Sequence, residues 1–179
     1  MTRTGLRRGA APAGPTPLMA LLYGLGLLVA QSLLSRLLLP LGVPPPDLFL
    51  LTGLLLTRRL SRGSALLAAY GVGLLQDILG AGVLGLHAAG VAGGVLLVLL
   101  TRRIMPPSAL GQTLFQVAAA LLGQWLTFMF LTYWLRTGLV TVDTLTRVLP
   151  LSFVTTLLIA PLWERFADLM FGRTQDGLP

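Results

Sequence analysis

Between Leu18 and Leu162 this chain is a succession of apolar runs cut by arginine pairs and by proline- and glycine-rich breaks, a pattern with few folding solutions in water. The first run, Leu18–Leu39, is 22 residues long and carries one charge, Arg36. As a helix it reaches about 33 Å, enough to cross a hydrocarbon core of roughly 30 Å. Charged residues make up only 11% of the chain, against about 25% in soluble domains. With less than half the usual charge to coat a surface, a soluble fold of this size would have to hide almost every residue. The pattern therefore predicts an all-α integral membrane protein whose apolar residues face lipid.

The breaks divide the chain into six helices. Residues Met1–Pro17, rich in Arg, Gly, Ala and Pro, read as a disordered cytoplasmic tail. Arg3, Arg7 and Arg8 ahead of an apolar run would also suit a signal peptide. The run is too long for one and no A-x-A site follows, so it reads as a retained first helix. It ends at the stiff segment Pro40–Pro46. The second run, Asp47–Thr57, has 11 residues and spans only about 16 Å. It is thus a short helix, buried by its neighbours or extended by the proline segment. Ser64–Leu79, Leu86–Thr101, Ser108–Arg136 and Val148–Leu162 follow, with a tight turn at Gly80-Ala81-Gly82 and a polar stretch at Thr137–Arg147. After Pro161, Leu162, Phe166, Leu169 and Met170 share a helical face, which fits a short amphipathic helix on the membrane surface or simply the end of helix six. One domain, residues 18–171, is expected, followed by a short tail at 172–179.

The chain contains no lysine, and its net charge of +7 comes from arginine. If odd-numbered helices begin inside, Arg3, Arg7, Arg8, Arg58, Arg59, Arg62, Arg102, Arg103, Arg165 and Arg173 are cytoplasmic. Arg36, Arg136 and Arg147 fall on the other side. The asymmetry follows the positive-inside rule and places both termini in the cytoplasm. Arginines dispersed between apolar runs, rather than gathered on a polar domain, argue against nucleic-acid binding.

Few residues carry chemistry. The absence of cysteine excludes disulfides and thiolate sites, and the single histidine, His87, excludes a multi-histidine metal cluster within one chain. No phosphate-binding loop, zinc-protease or serine-hydrolase motif is present, and no cofactor is implied. Asp77 is an acid inside an apolar run, which marks a functional or structural position. It could couple an ion or contact a substrate. Equally, it could cap the following turn through N–H groups near Gly80 and Gly82, pair with an arginine, or bond His87 across that turn. No second acid is expected in a neighbouring span, so no acid/base pair forms. Small residues recur at spacing four: Ala20/Gly24 and Gly26/Ala30 in helix one, Ala65/Ala69/Gly73 in helix three, and Ala88/Ala92, Ala89/Gly93 and Gly90/Gly94 in helix four. Such faces let helix backbones approach closely in lipid. Gln112, Gln116 and Gln124 lie on one side of helix five, suited to bonds across the bundle or to lining a substrate path. Trp125, Tyr133, Trp134 and Trp163 read as lipid-facing or interfacial aromatics.

Pro46-Asp47-Leu48 opening helix two, then Gly73-Leu74-Leu75-Gln76-Asp77-Ile78-Leu79-Gly80, then Leu84-Gly85-Leu86, resemble the pattern P-D-L, G-L-L-x-D-x-L, L-G of the rod shape-determining protein MreD family. The resemblance covers Pro44–Thr101 by motif and the remainder by length, span count and topology. The long Arg/Pro-rich N-terminal tail departs from it. The resemblance implies a non-enzymatic scaffold subunit of the bacterial cell-elongation machinery in the inner membrane. Its direct partner would be MreC, in a complex supporting RodA and a class B penicillin-binding protein and indirectly following MreB filaments, with membrane lipids around it. It also implies a six-helix bundle similar to the substrate-binding subunits of energy-coupling-factor vitamin transporters, which supplies an alternative function of vitamin binding. Asp47, Gly73, Asp77, Gly80, Gly85, His87, Gly90 and Gly94 are the resulting candidates for structural or partner-binding positions.

Overall fold

The computed structural model describes residues 17–80, 83–106, 108–136 and 142–172. The expected N-terminal tail, Ala81 and Gly82 of the tight turn, residues 137–141 of the polar stretch and the C-terminal tail beyond residue 172 lie outside them. The described residues form six helices: α1 Pro17–Leu38, α2 Leu48–Arg59, α3 Arg62–Leu79, α4 Leu86–Thr101, α5 Ala109–Trp134 and α6 Val142–Phe171. Single 3-10 turns extend α1 over Leu39–Leu41 and α4 over Arg102–Ile104. Four segments are long and apolar enough to cross a membrane: Leu18–Leu41, Leu86–Ile104, Gly111–Trp134 and Thr146–Phe171.

The helix starts follow local chemistry. Ser61 and Ser108 cap α3 and α5 by accepting the N–H of Ser64 and Gly111, replacing intrahelical partners that the first turn lacks. Pro17 opens α1, where its missing N–H costs nothing. Helix α6 differs from expectation. It begins at Val142 rather than Val148 and runs unbroken through Pro150 and Pro161 to Phe171. The segment after Pro161 is therefore no separate surface helix. It stays in line because Ala160, Trp163 and Ala167 are buried in the core, and a proline in a membrane helix is tolerated where neighbours pack around it. Trp163 is consequently a core residue, whereas Leu162 and Leu169 face outward.

Close approach sets the packing. Ala65, Ala69, Gly73 and Asp77 form one buried stripe along α3, at the i, i+4 spacing that aligns side chains on a helix face. A Cβ on Gly73 would lie 2.6 Å from both Ala88 Cα and His87 O. On the other side of α4, a Cβ on Gly94 would lie 2.6 Å from Ala120 O, and one on Gly123 of α5 would lie 2.6 Å from Gly93 O. The small faces thus hold α3, α4 and α5 backbone to backbone, where dispersion contacts replace the hydrophobic drive that lipid does not supply. Helix α1 is loosely attached. Tyr23 and Gly26 meet α6, with Tyr23 packed at 4.9–5.7 Å between ring centroids on Trp163, Phe166 and Phe171.

Helix α2 does not span. Its N-terminus meets Gln124 of α5 and Thr156 of α6, and Thr156 lies 14 residues after Val142 and 15 before Phe171. The helix therefore starts at mid-depth in the bundle, and Gly42–Asp47 is a non-helical segment that leads into it.

Candidate functional site

Non-helical backbone at membrane depth is tolerated only where its polar groups find partners within the protein. The N–H groups of the segment before α2 meet this condition one by one. Gly42, at φ +71°, turns the chain back, and the Val43 N–H is taken by Leu38 O at 3.1 Å. Pro44, Pro45 and Pro46 have no N–H to satisfy. Asp47 N–H donates to Thr156 Oγ1 (3.2 Å) and Leu48 N–H to Gln31 Oε1 (3.1 Å). The Asp47 carboxylate accepts Leu50 N–H (2.8 Å) through Oδ1 and Gln124 Nε2 (2.6 Å) through Oδ2. Side chains from α1, α5 and α6 thus converge on the first turn of α2, and an anion at a helix N-terminus is favoured by the helix dipole.

The second acid works the same way on α4. Asp77 Oδ2 accepts the N–H groups of Gly85 (2.9 Å) and Ala88 (3.0 Å), and Oδ1 accepts His87 N–H (3.0 Å) and His87 Nδ1 (2.8 Å). Leu86 N–H goes to Val83 O and Ala89 N–H to Gly85 O, so each N–H from Gly85 to Ala89 has a partner. Gly85 sits at φ +91°, a left-handed conformation that costs a side chain dearly and glycine almost nothing. The Asp77 side chain is fully buried, while the His87 ring is one-third exposed and packs edge-on against Phe128 of α5 at 5.6 Å.

The expected Asp77–His87 contact across the turn is therefore present, but the capped groups are those of Gly85, His87 and Ala88. Gly80 itself ends α3 by donating to Gln76 O. Gly73 lies one turn before Asp77 and brings α4 close enough to be capped. Gly90 faces Phe128, and Gly94 faces Ala120 and Leu50. The expectation of a single intramembrane acid is overturned, since Asp47 lies within the bundle at α2. The two carboxylates nevertheless serve separate helix ends and share no ligand among the described residues.

Sequence reasoning did not single out Gln31, Thr156 or Thr52. The Thr52 hydroxyl bonds Tyr23 Oη (3.0 Å), receives Trp163 Nε1 (3.1 Å) and donates to Leu48 O (2.8 Å), tying α1, α2 and α6 together. Two of the three α5 glutamines bond across, Gln124 to Asp47 and Gln116 to Arg58 at 2.9 Å, while Gln112 reaches Met105 Sδ in the segment just before its own helix. A crevice of about 10 Å³ between α2, α5 and α6, beside Arg58, Gln116 and Glu164, has room for about one water molecule. No group of three or more potential metal ligands occurs among the described residues. No family model matches the chain, and no curated protein or solved structure matches it.

Proposed function

We propose that this protein is a non-enzymatic scaffold subunit of the bacterial cell-elongation machinery, acting in the inner membrane in the manner of the MreD family and binding MreC. In this reading the arginine-rich end faces the cytoplasm with both termini. RodA and a class B penicillin-binding protein join through the same assembly, and MreB filaments act indirectly.

The observation that carries the reading is the use made of the resemblance motifs. Pro46-Asp47-Leu48 caps α2, and Gly73 through Gly85 caps α4. Among the described residues, the four hydrogen bonds of the Asp77 carboxylate all go to the start of α4. The segments that resemble MreD therefore build architecture, as a scaffold requires. Helix α1 leaves Leu18, Leu25, Val29, Leu33 and Leu37 more than half exposed, an apolar face available to a membrane partner.

Co-expression with MreC from the same genome and purification in mild detergent test the proposal. The expected result is a stoichiometric complex. A folded, monodisperse protein that leaves MreC behind would overturn it.

A further inference from the structure

One end of the bundle gathers the last turn of α2, the first of α3, the last of α4 and the end of α6, and its cations fall into two groups. Beside α6, Arg58 pairs with Glu164 at 3.1 Å and Arg59 with Asp168 at 3.0 Å. Arg59 also donates to the carbonyls of Phe171 and Gly172. Both acids of that edge are thus paired, while Arg165 of α6 is exposed and has no acidic partner among the described residues. Along the α3–α4 edge, Arg62 opens α3 while Arg102 and Arg103 follow α4. All three are exposed, and none has an acidic partner among the described residues. Arg102 donates to Thr57 O, which anchors its side chain without cancelling its charge.

An apolar stripe runs toward these arginines. On α4, Leu96 and Leu100 are spaced i, i+4 on one face, 44% and 69% exposed, and Arg103 follows three residues later in the 3-10 turn that extends the helix. On the neighbouring α3, Leu67 and Tyr70 are 75% and 43% exposed. A lipid-facing apolar strip that ends in unpaired guanidinium groups matches an anionic phospholipid, with acyl chain along the strip and phosphate at the arginine fork. The exposed face of α1 has comparable leucines but no such cluster among the described residues.

We propose that the α3–α4 edge binds the phosphodiester headgroup of an anionic phospholipid through Arg62, Arg102 and Arg103, with an acyl chain lying along Leu96 and Leu100. The site rests on the membrane reading of the chain and is independent of the MreC proposal.

The test reconstitutes the full chain in nanodiscs of mixed phosphatidylglycerol and phosphatidylcholine and counts lipids retained on release by native mass spectrometry. Wild type retains phosphatidylglycerol over phosphatidylcholine. Retention falls about fivefold for Arg62→Gln or Arg103→Gln, and about thirtyfold for both. The same pair changed to Lys retains most of the preference. Arg36→Gln with Arg136→Gln, at the opposite end, leaves it unchanged. Equal retention of the two lipids by wild type, or an equal loss in the opposite-end pair, overturns the site. Competition by glycerol phosphate as effective as by the intact lipid also overturns it, in favour of a free-phosphate site. Melting in phosphatidylcholine discs checks that each variant folds. Should the double Gln variant fail to fold, a wild-type preference that does not weaken with rising salt overturns the proposal by itself.

Discussion

At the scale of single residues, the buried charge of Asp77 is explained by the donors it meets. The start of α4 has N–H groups without intrahelical partners, and at this depth neither water nor lipid supplies an acceptor. One carboxylate satisfies the N–H groups of Gly85, His87 and Ala88 and fixes the His87 ring. Asp77→Ala strands those donors, and a loss of about 2–4 kcal/mol is expected from the cost of unmet buried donors and a lost cap. Asp77→Asn keeps one acceptor oxygen, so thermal unfolding in mild detergent should place it between wild type and Asp77→Ala. If the MreC proposal holds, it should also reduce MreC retention. An Asn variant as stable as wild type would mean that the negative charge adds nothing to the cap. Glycine gives a sharper contrast within one helix. A Cβ at Gly73 meets the backbone of α4 at 2.6 Å, while at Gly71 it meets nothing within 4 Å. Backbone cannot rotate aside, so Gly73→Ala should cost about 1–3 kcal/mol. Gly71→Ala should be neutral or stabilising by up to about 1 kcal/mol. Equal melting points for the two variants would refute the close packing of α3 on α4.

Among the elements, α2 and the proline segment before it are the least expected and the most constrained. Three consecutive prolines remove three donors from backbone that lies inside the bundle, and Gln31, Thr156 and Asp47 itself accept N–H groups around the first turn. Thr156→Val deletes the hydroxyl that accepts Asp47 N–H while nearly preserving shape, and should cost about 1–2 kcal/mol. Thr155→Val, whose hydroxyl bonds Ser152 O of its own helix, should lie within about 0.5 kcal/mol of wild type. The contrast also marks how far sequence reasoning reached. Helix existence was legible because apolar run length is a local property, and the Asp77–His87 clasp was legible because only a short turn separates them. The node at Asp47 was not. Gln124 and Thr156 lie 77 and 109 residues further along the chain, and no local periodicity announces that they meet. Pro161 left two readings open, a separate surface helix or the end of helix six: proline commonly ends a helix in water, but here Trp163 and Ala167 beyond it are buried, Trp163 against Tyr23 of α1 and Thr52 of α2, and the helix continues.

For the whole molecule, the two ends differ in charge and in reach. The capped start of α4 lies toward one end, the start of α2 at mid-depth, and the arginines that close α2, open α3 and follow α4 lie at the other end. Phe128 of α5 packs on His87, and α5 continues six residues beyond it to Trp134, about 9 Å further along the helix axis. There Tyr133 and Trp134 are 84% and 73% exposed and Phe130 stacks on Trp134, as aromatics do at a membrane interface. That belt marks one interface, and the ring of Arg58, Arg59, Arg62, Arg102 and Arg103 marks the other. The positive-inside rule then predicts an orientation with Arg136 outside and Arg62 inside. The absence of native cysteine makes this directly measurable, since each engineered thiol is unique in the chain. Gly63 and Arg136 are exposed, and a side chain added at Gly63 meets nothing within 4 Å. Gly63→Cys should react with a membrane-impermeant maleimide only after the inner membrane is opened, whereas Arg136→Cys should react in intact spheroplasts. The opposite pattern would invert the bundle. It would also place the α3–α4 arginines against the outer leaflet, where the lipid proposal would have to be tested against that leaflet's composition.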